Sequence, residues 1–254
     1  CGILPQALSP ARPAPFCPAL LSPMLDISRI RAITLDLDDT LWPIGPTIRR
    51  AEAALQAWLH VHAPATADLC AVPGAVRDVR QQMNVERRDL AHDMSALRRE
   101  SIRVMLVRAG DDPALAEPAF DVFFAARQRV EFYDDALPAL EFLSSRFPVV
   151  ALSNGNADVM RVGIGHHFCA AFNATTLGVG KPDPRMFQVG ARAAGAPPEA
   201  VLHIGDDAHL DGVGALNAGM QMAWVNRGGL TWEHPVHEPH VTVVDLRSLC
   251  ERLS

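Results

Sequence analysis

Apolar residues recur along this chain with two different periods. Residues 31–36, 147–152, 171–176, 200–205 and 221–226 are short apolar runs, several of them β-branched, and each is followed by a cluster of Gly, Asn or Asp. Runs of this length bounded by turn-forming residues predict buried parallel strands. Helical patterns lie between the last four, among them DPRMFQVGARAAG at 183–195 and LDGVGALNAG at 210–219. Strand and helix therefore alternate as in a doubly wound α/β sheet. From about residue 47 to 135 the texture changes: IRRAEAALQAWLHVHAP, AVRDVRQQMNVERRDL, SALRRESIRVMLVRAG and PAFDVFFAARQRVEF all have helical spacing. A strand-to-strand connection so long exceeds a crossover helix with its short loops. The pattern predicts a Rossmann-like core formed by residues 24–42 and 136–254, with a helical unit of residues 43–135 inserted after the first strand.

Composition narrows the function classes. The formal charge is −6, with acidic and basic residues interspersed, so there is no basic stripe for a nucleic-acid backbone and no polybasic membrane patch. No stretch reaches the length of an apolar transmembrane helix. The five cysteines are scattered and form no C-x-x-C pair, which argues against zinc and redox chemistry and fits a reducing cytoplasm. Residues 1–23 are rich in Pro and Ala and end before Met24, so they read as a disordered or non-native extension, with lipidation of Cys1 as the alternative. The expected state is a monomer or homodimer.

The chemistry enters with ITLDLDDTLW at 33–42, where Asp36, Asp38 and Asp39 crowd the end of a buried strand. Packing gives no reason for this, since clustered carboxylates repel one another and lose solvation. In open α/β sheets the reacting groups collect beyond the carboxyl ends of the strands. Three other polar sets follow predicted strands: Ser153, Asn154 and Gly155 in LSNGN, Lys181 in GKPDP, and Asp206, Asp207 and Asp211 in GDDAHLD. So much negative charge calls for a cation, and an all-oxygen set suits Mg²⁺.

These four motifs, in this order and spacing, resemble those of the haloacid dehalogenase superfamily, and the helical insertion resembles that superfamily's C1 cap. LSNGN, HIGDDAHLDGVGALNAGMQMAWVNR and HDMSALRRESI are similar to the bacterial phosphatases of the riboflavin pathway, which act on 5-amino-6-(5-phospho-D-ribitylamino)uracil and flavin mononucleotide. The resemblance implies a phosphatase of small phosphate esters with Asp36 as nucleophile and Asp38 as acid and base. It further implies Mg²⁺ held by Asp36, the main-chain carbonyl of Asp38 and Asp206, with Asp207 and Asp211 steadying the metal shell or Lys181. Ser153 and Lys181 would then serve the phosphoryl oxygens, Thr40 would orient the first loop, and Thr40, Asn154 and Gly155 would lie on the substrate side. His92, Asp93 and Arg98 are the cap's candidate substrate contacts. A 2-haloacid dehalogenase and a phosphate-responsive interaction protein that does not turn over are the alternatives, and Asp38 argues against both. Asp39 reads as a helix cap, GVGK lacks the first Gly of a P-loop, and His234, His237 and His240, like His166 and His167, read as structural.

Overall fold

The computed structural model describes residues 24–254, so the expected extension at 1–23 lies outside the described residues. Six strands, β1 (Ala32–Leu35), β2 (Val149–Ser153), β3 (Ala170–Asn173), β4 (Val201–Gly205), β5 (Gln221–Val225) and β6 (Val241–Val243), form one parallel sheet in the order β3-β2-β1-β4-β5-β6. Each central strand is buried along its whole length. Alternate residues feed two cores: Ile33, Leu35, Val149, Ala151, Leu202, Ile204, Ala223 and Val225 pack on one face, and Ala32, Val150, Leu152, Val201, Met222 and Trp224 on the other. Burial on both faces explains why these strands read as continuous apolar runs.

The first five of the six α-helices between β1 and β2 are α1 (Ile44–His62), α2 (Pro64–Ala71), α3 (Ala75–Glu86), α4 (Met94–Ala109) and α5 (Ala116–Arg127). They carry apolar clusters of their own, one around Leu55, Leu59, Ile102, Leu106, Phe120 and Phe123, the other around Val79, Met83, Leu97 and Met105. The sheet is flanked by α6 (Ala136–Ser144), α7 (Val159–Val162), α8 (Ala174–Leu177), α9 (Pro184–Ala193), α10 (Gly214–Asn217) and α11 (Leu246–Arg252).

Three details differ from the sequence pattern. Residues 174–176 are the first turn of α8, not the end of a strand, because the Asn173 side chain accepts from Thr176 N at 2.9 Å while the Thr176 hydroxyl accepts from Asn173 N. Residues 208–213 wind as a π turn before α10, held at its start by Asp207. The sixth strand is absent from the sequence pattern: at three residues with an exposed middle position it is an edge strand too short for periodicity to reveal.

Candidate active site

The register of the sheet determines what meets at its carboxyl edge. Leu35 pairs with Ile204, and Asp36 N donates to Ile204 O at 2.9 Å, so the ends of β1 and β4 deliver Asp36 and Asp206 side by side. Beyond Asp36 the chain folds back on itself. Asp39 takes a left-handed conformation (φ 60°), its N–H donates to Trp42 O, and its carboxylate accepts from Ile44 N at 2.9 Å at the start of α1. Asp tolerates that conformation better than most residues, and its side chain serves as a cap.

A chain of buried polar groups runs inward from Asp36. Its Oδ1 accepts from Lys181 Nζ, and Lys181 Nζ also donates to Asp211 Oδ1 at 2.6 Å. Asp211 Oδ1 lies 3.0 Å from His203 Nε2, and His203 Nδ1 lies 2.9 Å from Thr34 Oγ1. Burial holds the His203 pKa below its usual value. The neutral ring protonated at Nε2 satisfies both contacts. Burial disfavours the Lys181 ammonium, but the Asp211 and Asp36 carboxylates outweigh it and hold its pKa above the usual value. Burial likewise opposes ionisation of Asp211, yet Lys181 and His203 keep it well below the ordinary carboxylate range. Gly205 makes room for this arrangement, since a Cβ there would lie 2.3 Å from Asp211 Cγ.

The remaining carboxylates are short of positive charge. Burial, partly offset by Lys181, raises Asp36 well above the usual range, and burial together with the nearby Asp211 pushes Asp206 up to about 7. Oxygens of Asp36, Asp206 and Asp211 lie within 4.8 Å of one another, the one such trio among the described residues. Thr40 Oγ1 lies 3.0 Å from Asp36 Oδ2 and 3.1 Å from Asp206 Oδ1, tying the two carboxylates together. Three carboxylates against one ammonium, all donors being oxygen, fit a hard divalent cation.

A cavity of about 210 Å³ at this edge is lined by Asp36, Asp38, Asp39, Ser153, Asn154, Gly155, Lys181, Asp206, Asp207 and Asp211, so the four sequence motifs meet there. Several side chains are already engaged. Ser153 Oγ accepts from Gly155 N at 2.9 Å. Asn154 exchanges two hydrogen bonds with the Lys181 main chain, at 2.8 and 2.7 Å, and so fixes the lysine loop at the wall of the cavity. Asp207 accepts from His209 N and Leu210 N, at 2.8 and 2.7 Å, and stands outside the acidic trio.

The cap candidates divide. His92 and Asp93 line neither this cavity nor the one beside it. Asp93 caps α4, accepting from Ala96 N at 2.8 Å, and His92 offers its main-chain oxygen to Thr175. Arg98 pairs with Glu52, stacks 4.0 Å over the Phe123 ring, and lines a second cavity that adjoins the first at Asp38 and Gly155. His203 and Arg127 both escape the sequence reading. Arg127, at the end of α5 and fully buried, donates from NH2 to both Asp38 oxygens (2.7 and 2.6 Å) and from Nε to Asn156 Oδ1 at 2.9 Å. Trp42 Nε1 donates to Asp38 Oδ1 at 2.8 Å from the other side. The one available signal is a basic residue closing the apolar face of FDVFFAAR. The histidines at 234, 237 and 240 form no such trio; His240 Nδ1 instead lies 3.2 Å from Met222 N at the sheet edge.

Comparison with known proteins agrees with this geometry. The chain is 31% identical over 236 residues to the 5-amino-6-(5-phospho-D-ribitylamino)uracil phosphatase YigB of Escherichia coli, covering 88% of this chain and 96% of that protein. It is 35% identical over 158 residues to the phosphoserine phosphatase of Thermus thermophilus, covering 60% and 63% respectively. A solved structure titled 2-haloacid dehalogenase, from Pseudomonas syringae pv. Tomato, superposes with a TM-score of 0.81 at 38% identity, covering 88% of this chain and 98% of that one. The model of the haloacid dehalogenase-like hydrolase family matches residues 30–219, which include all four motifs gathered at the sheet edge. The chain therefore belongs to the haloacid dehalogenase-like hydrolases.

Proposed function

We propose that this protein is a Mg²⁺-dependent phosphatase that hydrolyses small phosphate esters through a phosphoaspartate at Asp36. The observation that carries the reading is the acidic trio facing one buried lysine, with Asp38 held beside it on the open side of the same cavity. Asp36 and Asp206 would hold the cation, with the Asp38 main-chain carbonyl, while Asp211 braces Lys181. Mg²⁺ would neutralise charge on the non-bridging phosphoryl oxygens. An oxygen of Asp36 attacks phosphorus in line as the ester P–O bond breaks, and Asp38 gives its proton to the departing alkoxide. Asp38 then takes a proton from the water that cleaves the phosphoaspartate, which regenerates the Asp36 carboxylate and the Asp38 carboxylic acid. Lys181 and the Ser153 hydroxyl face the phosphoryl oxygens, and Thr40 keeps Asp36 in line.

The helical unit of residues 43–135 acts in this reading as a cap that selects the leaving group. The similarity to the Escherichia coli enzyme supports 5-amino-6-(5-phospho-D-ribitylamino)uracil as substrate, with flavin mononucleotide as a related ester. A cytoplasmic location accords with the free thiols of Cys70, Cys169 and Cys250. The Pseudomonas syringae structure favours a second reading, a 2-haloacid dehalogenase with the same nucleophile. One experiment separates the two: inorganic phosphate release from a panel of phosphate esters and chloride release from 2-chloropropionate, each with Mg²⁺, with Ca²⁺ and with EDTA. Phosphate release that needs Mg²⁺ and is not restored by Ca²⁺ is expected, because calcium's looser coordination misplaces the attacking oxygen. Chloride release in EDTA, without phosphate release, would establish the dehalogenase instead.

A further inference from the structure

Away from the sheet edge, α1, α2, α3 and α4 enclose a cavity of about 500 Å³. Its apolar wall includes Leu55, Leu59, Val76, Val79, Ile102 and Met105, and the exposed Ala53 and Ala71 mark the side that opens to solvent. Leu55, Leu59 and Ile102 belong to one apolar cluster of the helical unit, Val79 and Met105 to the other, so the cavity lies between the two. Packed interiors leave few voids larger than a water molecule, whereas this one falls within the range of about 300–1,000 Å³ typical of ligand sites. None of its wall residues lines the cavity at Asp36.

The wall carries three charged side chains. Glu52 Oε1 accepts from Arg80 NH2 at 2.6 Å and from Arg98 NH1, so one carboxylate faces two guanidiniums and leaves one positive charge unmatched. All three line the cavity and keep accessible surface, 31% for Glu52, 35% for Arg80 and 15% for Arg98, so a ligand can reach them. Burial holds the Arg98 pKa below its usual value, with Glu52 opposing that effect and Arg80 adding to it, as befits a cation short of counter-charge. The neutral polar groups of the wall are already engaged: Thr66 Oγ1 donates to Asp111 Oδ2 at 2.7 Å, Ser101 Oγ to Leu97 O at 2.8 Å and Gln56 Nε2 to Ala67 O at 2.9 Å. Recognition therefore falls to the guanidiniums. One added negative charge makes the cluster neutral, whereas a dianion would leave excess negative charge beside Glu52. A planar carboxylate also matches the fork of a guanidinium.

We infer that the helical unit holds a second ligand site, which takes a small apolar monocarboxylate: the carboxylate lies against Arg80 and Arg98, and the apolar body fills the gap between the two clusters. Such a body supplies each cluster with the contacts it lacks across the gap. Binding there does not depend on the chemistry at Asp36.

The test is isothermal titration calorimetry of the full chain with sodium octanoate and with octan-1-ol, which share an apolar body and differ in charge. One equivalent of octanoate is expected to bind, about tenfold to a hundredfold more tightly than the alcohol, the gain that a charge-assisted hydrogen bond contributes. Arg80→Gln, at a half-exposed side chain, should weaken octanoate by about tenfold and leave octan-1-ol unchanged. The place of binding is read separately from Cys70, a free thiol that lines the cavity. Saturating octanoate should slow its alkylation by N-ethylmaleimide while Cys169 and Cys250 react as before, as followed by peptide mass mapping. If Arg80→Gln fails to fold, the wild-type comparison and Cys70 still decide. No octanoate binding, equal affinity for acid and alcohol, undiminished affinity in a folded Arg80→Gln protein, or binding that leaves Cys70 alkylation unchanged overturns the inference.

Discussion

A methyl group on residue 155 would lie 2.4 Å from Asp38 Oδ2 and 3.3 Å from Ser153 Oγ, so glycine at this position is what allows the two side chains to share one cavity. Gly155→Ala should displace the Asp38 carboxylate without disturbing the sheet. A misplacement on the order of 1 Å can cost about a hundredfold in rate. The expected outcome is a fall in kcat of at least about tenfold on every ester, with the melting temperature changed little, as read from steady-state kinetics and thermal unfolding side by side. Asp36 and Asp206 are legible in the sequence because each stands at the end of an apolar run with no packing reason to be there, and Lys181 is legible through its place in the ordered set of motifs. Arg127 and His203 are not. Arg127 closes a helix whose other face is apolar, and His203 sits inside a strand, so only the sheet register and the packing of α5 bring them to Asp38 and Asp211.

Among the elements, α4 separates capping from recognition. Its first turn carries the HDMSALRRE stretch that looks most like a substrate contact, yet the Asp93 carboxylate is bound to Ala96 N. Asp93→Ala should therefore cost about 1 kcal/mol of stability, the usual loss for an N-cap aspartate, and leave the ratio of kcat/KM between flavin mononucleotide and p-nitrophenyl phosphate unchanged. Denaturant unfolding together with kinetics on both esters checks this. A selective loss on flavin mononucleotide would return Asp93 to the substrate site. The helices of residues 44–127 are readable from their 3.6-residue period. What periodicity cannot give is the side-chain bonding at their ends, where a polar residue caps a helix or faces a ligand with the same sequence signature. The π turn at 208–213 shows the same limit: its residues have helical spacing, and only the bonds from His209 N and Leu210 N to Asp207 show how the turn begins.

At the scale of the whole molecule, the strand order β3-β2-β1-β4-β5-β6 places β1 at the centre, with β2 on one side and β4 on the other. Motifs spread from residue 36 to residue 211 converge on one edge for that reason, and the long helical connection leaves β1 where it can stand beside that edge. This convergence is foreseeable from the alternation of strand and helix, whereas the pairing of α5 with the first loop through Arg127 and Asp38 is not. The central claim, that the converged edge transfers a phosphoryl group to Asp36 and that Asp38 then drives its release, is tested most directly by trapping the intermediate. Asp38→Asn removes the proton donor and the base, yet p-nitrophenolate leaves with little protonic help. Rapid mixing of the Asp38→Asn protein with p-nitrophenyl phosphate and Mg²⁺, followed by acid quench and peptide mass mapping, should give one equivalent of p-nitrophenol in a burst and acid-stable, hydroxylamine-labile phosphate on Asp36. No burst from the folded protein, or phosphate on any other residue, would contradict the account.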